Sequence, residues 1–566
     1  MKKCFIVAWV GALAFTLSAQ LSTVSACTNF IVGKKASVDG SVLCTYSADD
    51  YGMFQKLAHY PAAKHTKGTM RTVIDWDTNE YRGEILEAEE TYNVIGNINE
   101  WQLTIGETTF GGREEMVDTT GILDYGSLIY ITLQRAKTAR EAIDVMTTLV
   151  EQYGYASEGE TFTICDPNEA WILEMMGCAS DRKVSKERTV WVAVRIPDDA
   201  ICGHANQSRI TTFDQKGKKA FGKWAMINGK GDVLFSKNVV SYARKMGWFS
   251  GKDEDFSYNV AYAFPDFSGR RICDARVWSF FNRYADGMDR YIPWAEGIDK
   301  NAEVMPLWVK PNKKLSVHDL EEAMRDHYED TPFALDSDIG GGIWEMPYRP
   351  TPLYYTVDGK KYFNERPTST QQATFVYVSQ MRSWLPREVG GILWFANDDG
   401  NMAPFTPVYC CTTEAPRPYN TPGADELNFS FDNAYWVQNW VSNMVYPRYS
   451  LMFPSLKAVR DSLDNSYFRA QKEVEDKALT LEREGRVAFL TSYSGEKADQ
   501  MLARWQQLAQ YLIVKYNDMI LKPEENGQFT RTKHGLGSRP VRPGYPEKFG
   551  RQLVKQTAGK FLIPEQ

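Results

Sequence analysis

The sequence predicts a mixed α+β body, with strands and helices interleaved, followed by a helical C-terminal part. Three observations carry this. Short β-prone runs bounded by Gly, Asp and Pro recur from residue 27 to about residue 200, with helical spacing among them. The middle of the chain mixes helical stretches with short apolar runs. From Asp432 to Gln510 the apolar period becomes helical throughout. No internal repeat or low-complexity linker separates modules, so 27–430 reads as one body and 431–566 as a helical region with an irregular tail packed on it.

The elements follow in chain order. Lys2 and Lys3 precede an apolar stretch from Cys4 to Leu17, and a polar run then ends in Val24-Ser25-Ala26. Residues 1–26 therefore read as a signal peptide, and the chain as exported, periplasmic or extracellular. After it, Thr28-Asn29-Phe30-Ile31-Val32 is β-prone, Val38-Asp39-Gly40-Ser41 is a turn, and Val42 to Tyr46 resumes the apolar run. Further strands are expected at Tyr92–Ile98, Gln102–Thr104, Phe162–Cys165, Ala170–Met175 and Val190–Arg195. Ser127–Tyr153 reads as one helix, with Ala136, Ala139, Ala142, Ile143 and Met146 at helical spacing. Phe235–Met246 and Val317–Tyr328 also read as helices. Ile392–Phe395 and Pro407–Cys410 read as buried strands, and the tail from Leu521 as irregular.

Composition excludes several classes. The 65 Lys and Arg against 72 Asp and Glu give a net charge of −7, which argues against a nucleic-acid binder. Beyond the leader no apolar run approaches the ~18 residues of a membrane span. No CxxC pair and no Cys/His cluster at zinc spacing occurs, so no metal and no cofactor is expected.

Cleavage after Ala26 would make Cys27 the N-terminal residue. A residue so freed offers its side chain as nucleophile and its own α-amine as general base. With reference pKa values of about 7.7–8 for the amine and about 8.5 for the thiol, the proton moves between them at little cost. Two other readings stand beside this one. Val24-Ser25-Ala26-Cys27 passes as a loose lipobox, which would make Cys27 the anchor of a lipid-anchored surface protein, and Cys27 could be purely structural.

Cys27-Thr28-Asn29-Phe30-Ile31-Val32-Gly33-Lys34-Lys35-Ala36-Ser37, with Asp39-Gly40-Ser41 after it, resembles the N-terminal motif of the C69 dipeptidases. These are cysteine peptidases of the N-terminal-nucleophile (Ntn) hydrolase superfamily. The similarity continues through Asn99-Glu100, Gly106-Glu107-Thr108-Thr109-Phe110-Gly111-Gly112, Gly159-Glu160 and Ala170-Trp171-Ile172-Leu173-Glu174. It resumes at His204-Ala205-Asn206-Gln207, Glu365-Arg366 and Gly391-Ile392-Leu393-Trp394-Phe395. The resemblance implies a four-layer αββα sandwich with the nucleophile on the N-terminal strand, and hydrolysis of dipeptides or short peptides. It favours the nucleophile reading of Cys27.

The resemblance also suggests roles. Asn99 and Asn206 are nominated as oxyanion donors, with turn or cap asparagines as the alternative. Asp49, or Asp50 beside it, would orient the new amine. Arg276 would approach the nucleophile and depress its thiol pKa. Tyr46 departs from the pattern, standing where many relatives have arginine. Glu107 and Arg113 bracket a Gly-rich turn and would bind the substrate's ammonium and carboxylate, the alternative being an internal ion pair. His204, two residues before Asn206, would face the substrate with it if strand alternation persisted, or serve structurally. Two further functions stand beside the dipeptidase. One is an Ntn amidase acting on acyl-amino acids or bile-salt-like conjugates, and the other a non-catalytic, lipid-anchored peptide-binding protein. A homo-oligomer is compatible with all of them.

Overall fold

Apolar runs bounded by turns become two antiparallel sheets. The computed structural model describes residues 27–50, 53–178, 188–213, 215, 231–336 and 338–565, so the leader expected at 1–26 lies outside the described residues. Strand β1 (Asn29–Val32) and β2 (Val42–Asp49) form the N-terminal hairpin, with Ile31 opposite Cys44 and Val32 opposite Leu43. The turn between them uses Gly40 at φ 90°, a conformation that favours glycine. Every residue of both strands is buried, as expected of strands covered on both faces.

The remaining strands of these two sheets are β3 (His59–Tyr60), β4 (Val94–Ile95), β5 (Ile98–Asn99), β6 (Thr104–Gly111), β7 (Gly159–Cys165), β8 (Ala170–Gly177), β9 (Thr189–Ile196) and β10 (Ile201–His204). They continue with β11 (Val233–Phe235), β12 (Trp308–Val309), β13 (Ala373–Met381), β14 (Gly391–Asn397) and β15 (Thr406–Tyr409). Among the described residues, seven strands form one sheet in the order β12-β10-β1-β2-β13-β14-β15. Eight form the other, in the order β11-β9-β8-β7-β6-β5-β4-β3. Paired strands run antiparallel in both sheets.

The period-two alternation of side chains sorts them into separate cores. Ile31, Cys44 and Tyr377 of the first sheet pack with Cys165, Ile172 and Val192 of the second. Phe30, Val32, Leu43 and Trp394 face the other way, onto helix α3 (Ala275–Tyr284) through Trp278 and Phe281 and onto α4 (Val317–Met324) through Leu320. Ile105, Phe162 and Leu173 of the second sheet meet α1 (Tyr125–Leu133) and α2 (Ala139–Tyr153) through Leu128, Ile131, Ile143 and Met146. Even the adjacent Cys410 and Cys411 divide between the first two of these cores. The chain is thus mixed α/β, with several antiparallel sheets and helices packed against them.

The single helix expected at Ser127–Tyr153 is two. Asp124 caps α1 by accepting from Ser127 N, and Thr138 caps α2 by accepting from Glu141 N. Between them the carbonyls of Leu133 and Ala136, left without helical partners, accept from Asn99 Nδ2 at 2.7 and 2.8 Å. The helix expected from Phe235 begins only at Val239, because residues 233–235 pair with β9. The C-terminal helices α5 (Ala434–Val445), α6 (Tyr449–Leu479) and α7 (Arg483–Tyr516) share a core through Val441, Leu456, Trp505 and Leu512. Asp464 of α6 ties them to the body, accepting from Arg325 at 2.8 Å and from Phe405 N at 3.0 Å. The tail expected to be irregular carries a helix, α8 (Glu547–Thr557). No helix among the described residues is long and apolar enough to cross a membrane.

Candidate active site

Cys27 stands just ahead of β1, and its neighbour is clamped to β2. Thr28 N donates to Ser47 O at 3.3 Å and Ser47 N returns a bond to Thr28 O at 3.0 Å. Backbone so paired on both sides is held in the sheet. Cys27 itself is 4% exposed. Three elements converge on it.

The first is Arg276, in the opening turn of α3, which follows a π-helical turn at Gly269–Asp274. Its fully buried guanidinium donates to Cys27 O at 2.7 Å, Thr28 Oγ1 at 2.8 Å, Ala205 O at 3.1 Å and Asn206 Oδ1 at 3.0 Å. Its Nε binds Ile272 O at 2.9 Å. Burial, with Arg366 nearby, brings its pKa down to about 10, so it stays charged at neutral pH. Arg276 therefore grips the backbone of Cys27.

The second is Glu107 on β6. Its Oε1 accepts from Tyr46 OH at 2.5 Å and from Cys27 Sγ at 3.5 Å, while its carbonyl takes Asn29 Nδ2 at 2.6 Å. Tyr46, the departure noted in the sequence, supplies a neutral donor to this carboxylate. The thiol does not follow the expected depression. Burial, then the charges of Glu107 and Asp49, push it well above the ordinary cysteine range. In this arrangement Cys27 rests as a neutral thiol and needs a base to become a nucleophile.

The third is Asp49, at the end of β2. It accepts from Arg366, and from Ser47 Oγ at 3.0 Å, while its Oδ1 is buried with no partner. Burial raises its pKa against the opposing pull of Arg366 and Arg276.

Asn206 joins this group, but not by strand alternation. β10 ends at His204, and Asn206 adopts φ 57°, a left-handed conformation that asparagine tolerates. It accepts from Arg276 and donates from Nδ2 to Thr109 O at 2.8 Å. His204 therefore does not share its direction. Its ring nitrogens sit 2.7 Å from Thr108 Oγ1 on β6 and 2.7 Å from Thr163 Oγ1 on β7, strutting the first sheet against the second. Burial, then Arg209, drop its pKa to about 3, so it is neutral. The substrate-facing reading of His204 gives way to the structural one.

Asn99 is also placed elsewhere. Its amide is spent on the α1–α2 junction, and its Oδ1 accepts from Trp101 N and Leu103 N at 2.9 and 3.1 Å. It is a turn-and-cap asparagine, with no side-chain capacity left for an oxyanion. Arg113 is clasped between Trp248 and Phe264, at 4.0 and 4.2 Å from the ring centres. It binds Ala261 O at 2.7 Å and Glu115 at 3.4 Å. It does not pair with Glu107, and none of these contacts is shared with Cys27.

Sequence reasoning gave no role to Arg366, Tyr46 or Glu160. Arg366 and Glu160 lie within resembling motifs, Glu365-Arg366 and Gly159-Glu160, so the signal was present without the partner that explains it. Glu174 is another such case. Its buried carboxylate takes Ser208 Oγ at 2.5 Å and the Arg209 and Ile210 amides at 2.6 and 3.1 Å, fixing the segment that follows Asn206.

The same residues fall inside a region of recognised similarity. Residues 26–462 match the profile of peptidase family C69. The chain is 24% identical to a probable dipeptidase of Salmonella dublin, over 70% of this chain and 84% of that protein. It is 23% identical to dipeptidase A of Lactobacillus helveticus, over 90% of this chain and 97% of that protein. A probable dipeptidase of Latilactobacillus sakei is also 23% identical, over 84% and 92%. With the family profile covering most of the chain and a buried cysteine at the head of its first strand, the protein belongs to peptidase family C69 and is a cysteine-type peptidase.

Proposed function

We propose that this chain is an exported dipeptidase whose mature form begins at Cys27, and that its two facing sheets with their outer helices are the αββα sandwich of an Ntn hydrolase. The observation that carries the reading is the Cys27 thiol, 3.5 Å from the Glu107 carboxylate, with its own carbonyl held by Arg276 at 2.7 Å. Once the leader is removed, the Cys27 α-amine takes the thiol proton and the thiolate attacks the scissile carbonyl. The amine then returns the proton to the departing nitrogen, leaving a thioester that water hydrolyses by the same proton route. Asp49, with a buried oxygen lacking a partner, is the group assigned to hold the amine. Asn206 Nδ2, now on Thr109 O, is the side-chain donor assigned to the oxyanion.

Glu107 selects the substrate in this reading. An α-nitrogen lies about 2.5 Å from its own carbonyl carbon. When that carbon sits on Cys27 Sγ, a free N-terminal ammonium comes within reach of Glu107 Oε1, and the first peptide bond is the one cut. An acyl chain in the same place would set apolar atoms against the buried Glu107 charge and offer it no cation, which disfavours the acyl-amino-acid reading. The far carboxylate is left to Arg113 as the cation nearest in sequence. The test is turnover of a dipeptide panel by purified mature protein, with each dipeptide also supplied N-acetylated. Cys27-dependent hydrolysis of the free forms alone is the expected result. Hydrolysis of the acetylated forms alone, or of neither, would overturn the proposal.

A further inference from the structure

Glu107 has an acidic neighbour. In the pairing of β6 with β7, Thr109 lies opposite Glu160 and Glu107 opposite Phe162, so the two carboxyls are diagonal neighbours on one face of the sheet. Both are buried, at 1% and 0% exposure. Glu160 Oε2 accepts from Thr109 Oγ1 at 3.0 Å and from Tyr155 OH at 3.5 Å. The other oxygen of each carboxyl, Glu107 Oε2 and Glu160 Oε1, is buried with no donor. Among the described residues the side-chain contacts of the two acids are with Cys27, Tyr46, Thr109 and Tyr155, and none is a Lys, Arg or His.

Two ionised carboxylates in this position would each be desolvated, uncompensated and repelled by the other. One proton between the two orphan oxygens removes the conflict, because a neutral carboxyl is a donor and an ionised one accepts. Glu160 is the member that keeps it, pushed well up by burial and by the Glu107 charge. Burial raises Glu107 as well, but bonds from Glu160, Tyr46 and Cys27 pull against that rise. Among the described residues the side chains facing the pair add no positive charge: Cys27, Tyr46 and Asp49 from the first sheet, and Asp77, Tyr125, Tyr130, Tyr155 and Glu158 from around the second. The α-amine that the mature Cys27 would carry also titrates beside them, with a reference value of about 8, and acts as base in its neutral form.

We propose that Glu160 is a positioning residue that stays protonated, donates to Glu107 Oε2, and so leaves Glu107 Oε1 as one fixed negative charge reserved for a substrate ammonium. This rests on the peptidase reading above and narrows it to peptides with a free, protonated N-terminus. The incoming ammonium supplies the cation that the pair lacks. Loss of the shared proton at high pH turns the pair into two repelling charges and swings Glu107 away from its position, so KM rises on the alkaline side while kcat falls less.

The test compares Glu160→Gln and Glu160→Leu in the mature full chain. Glutamine keeps a donor to Glu107 and cannot ionise, so KM for dipeptides stays within about threefold of the parent and its alkaline rise disappears. Leucine removes the donor, and KM rises tenfold or more with the circular dichroism spectrum unchanged. Independently of turnover, difference infrared spectroscopy at pH 7 shows the C=O stretch of a neutral carboxylic acid that is lost in Glu160→Gln. An active enzyme with no such band, or a leucine variant with the parental KM, overturns the shared proton and leaves the peptidase reading standing. A band that vanishes in Glu160→Gln, in a protein that hydrolyses no dipeptide, sinks the peptidase reading, and the ammonium role with it, while the carboxyl pair stands.

Discussion

Replacing Glu107 by Gln removes the charge at Oε1 and turns the oxygen facing Glu160 into an amide donor, which Glu160 meets by accepting in place of donating. The amide oxygen still accepts from Tyr46 OH, now 2.5 Å away, and from the Cys27 thiol at 3.5 Å, and the backbone carbonyl still holds Asn29. What is lost is the charged partner of a substrate ammonium. A hydrogen bond to a charged group contributes about 1.5–3 kcal/mol, so KM for a dipeptide is expected to rise about 10- to 150-fold. The Glu107 charge is also among the causes that raise the Cys27 thiol, so removing it makes thiolate formation easier and kcat should hold or increase. The assay is initial-rate kinetics on an unblocked dipeptide across pH 6–9, with alkylation of Cys27 followed in parallel. An unchanged KM would refute the ammonium argument. A kcat collapse at constant KM would place Glu107 in the chemistry instead of in recognition.

Other outcomes follow from the same contacts. Cys27→Ser should fold normally and lose dipeptide turnover by a factor of about a thousand or more, measured on protein with its mature N-terminus confirmed. Asn99→Ala should cost about 2 kcal/mol in urea unfolding, by stranding the Leu133 and Ala136 carbonyls, and leave kcat near the parent value. An equal loss of kcat would restore Asn99 to the oxyanion role. Arg276→Met leaves acceptors on Cys27, Thr28, Ala205 and Asn206 unpaired in the interior, so a loss of about 3–5 kcal/mol and of activity together is expected. His204 ties stability to pH. Its folded pKa of about 3 lies below the reference 6.5, so the unfolded chain binds the extra proton and stability falls as pH drops below 6.5 towards 3. That costs about 2 kcal/mol by pH 5, and a His204→Asn variant should lack this slope in urea titrations at pH 5 and 7.

Much of this was legible in the sequence, for definite reasons. The N-terminal hairpin showed because Asp39-Gly40 punctuates two apolar runs, and the alternation in β1 and β7 reports which core each side chain enters. Cys27 stood out because the leader expected from the sequence would end at the residue before it. Partners distant in sequence were harder to see. Arg366 and Asp49 are 317 residues apart, and Arg276 and Cys27 are 249 apart, so their pairing is a product of tertiary packing. The expectation for His204 failed because the chain leaves the strand at Ala205 and turns left-handed at Asn206, which cancels the period of two. The continuous helix at Ser127–Tyr153 failed because Asn99, on a different element, caps the break. The depressed thiol failed because Arg276 faces the carbonyl of Cys27 and Glu107 faces its sulfur.

The chemistry proposed for Cys27 needs both a free thiol and a free α-amine in the mature protein. The intact mass of the protein recovered from a signal-competent bacterial host tests it most directly. An N-terminal cysteine nucleophile gives a mass equal to the unmodified chain from Cys27 onward, rising by one adduct when a thiol reagent inactivates the enzyme. A mass carrying acyl chains on Cys27, or a chain that begins at another residue, would remove the nucleophile or its base and contradict the mechanism.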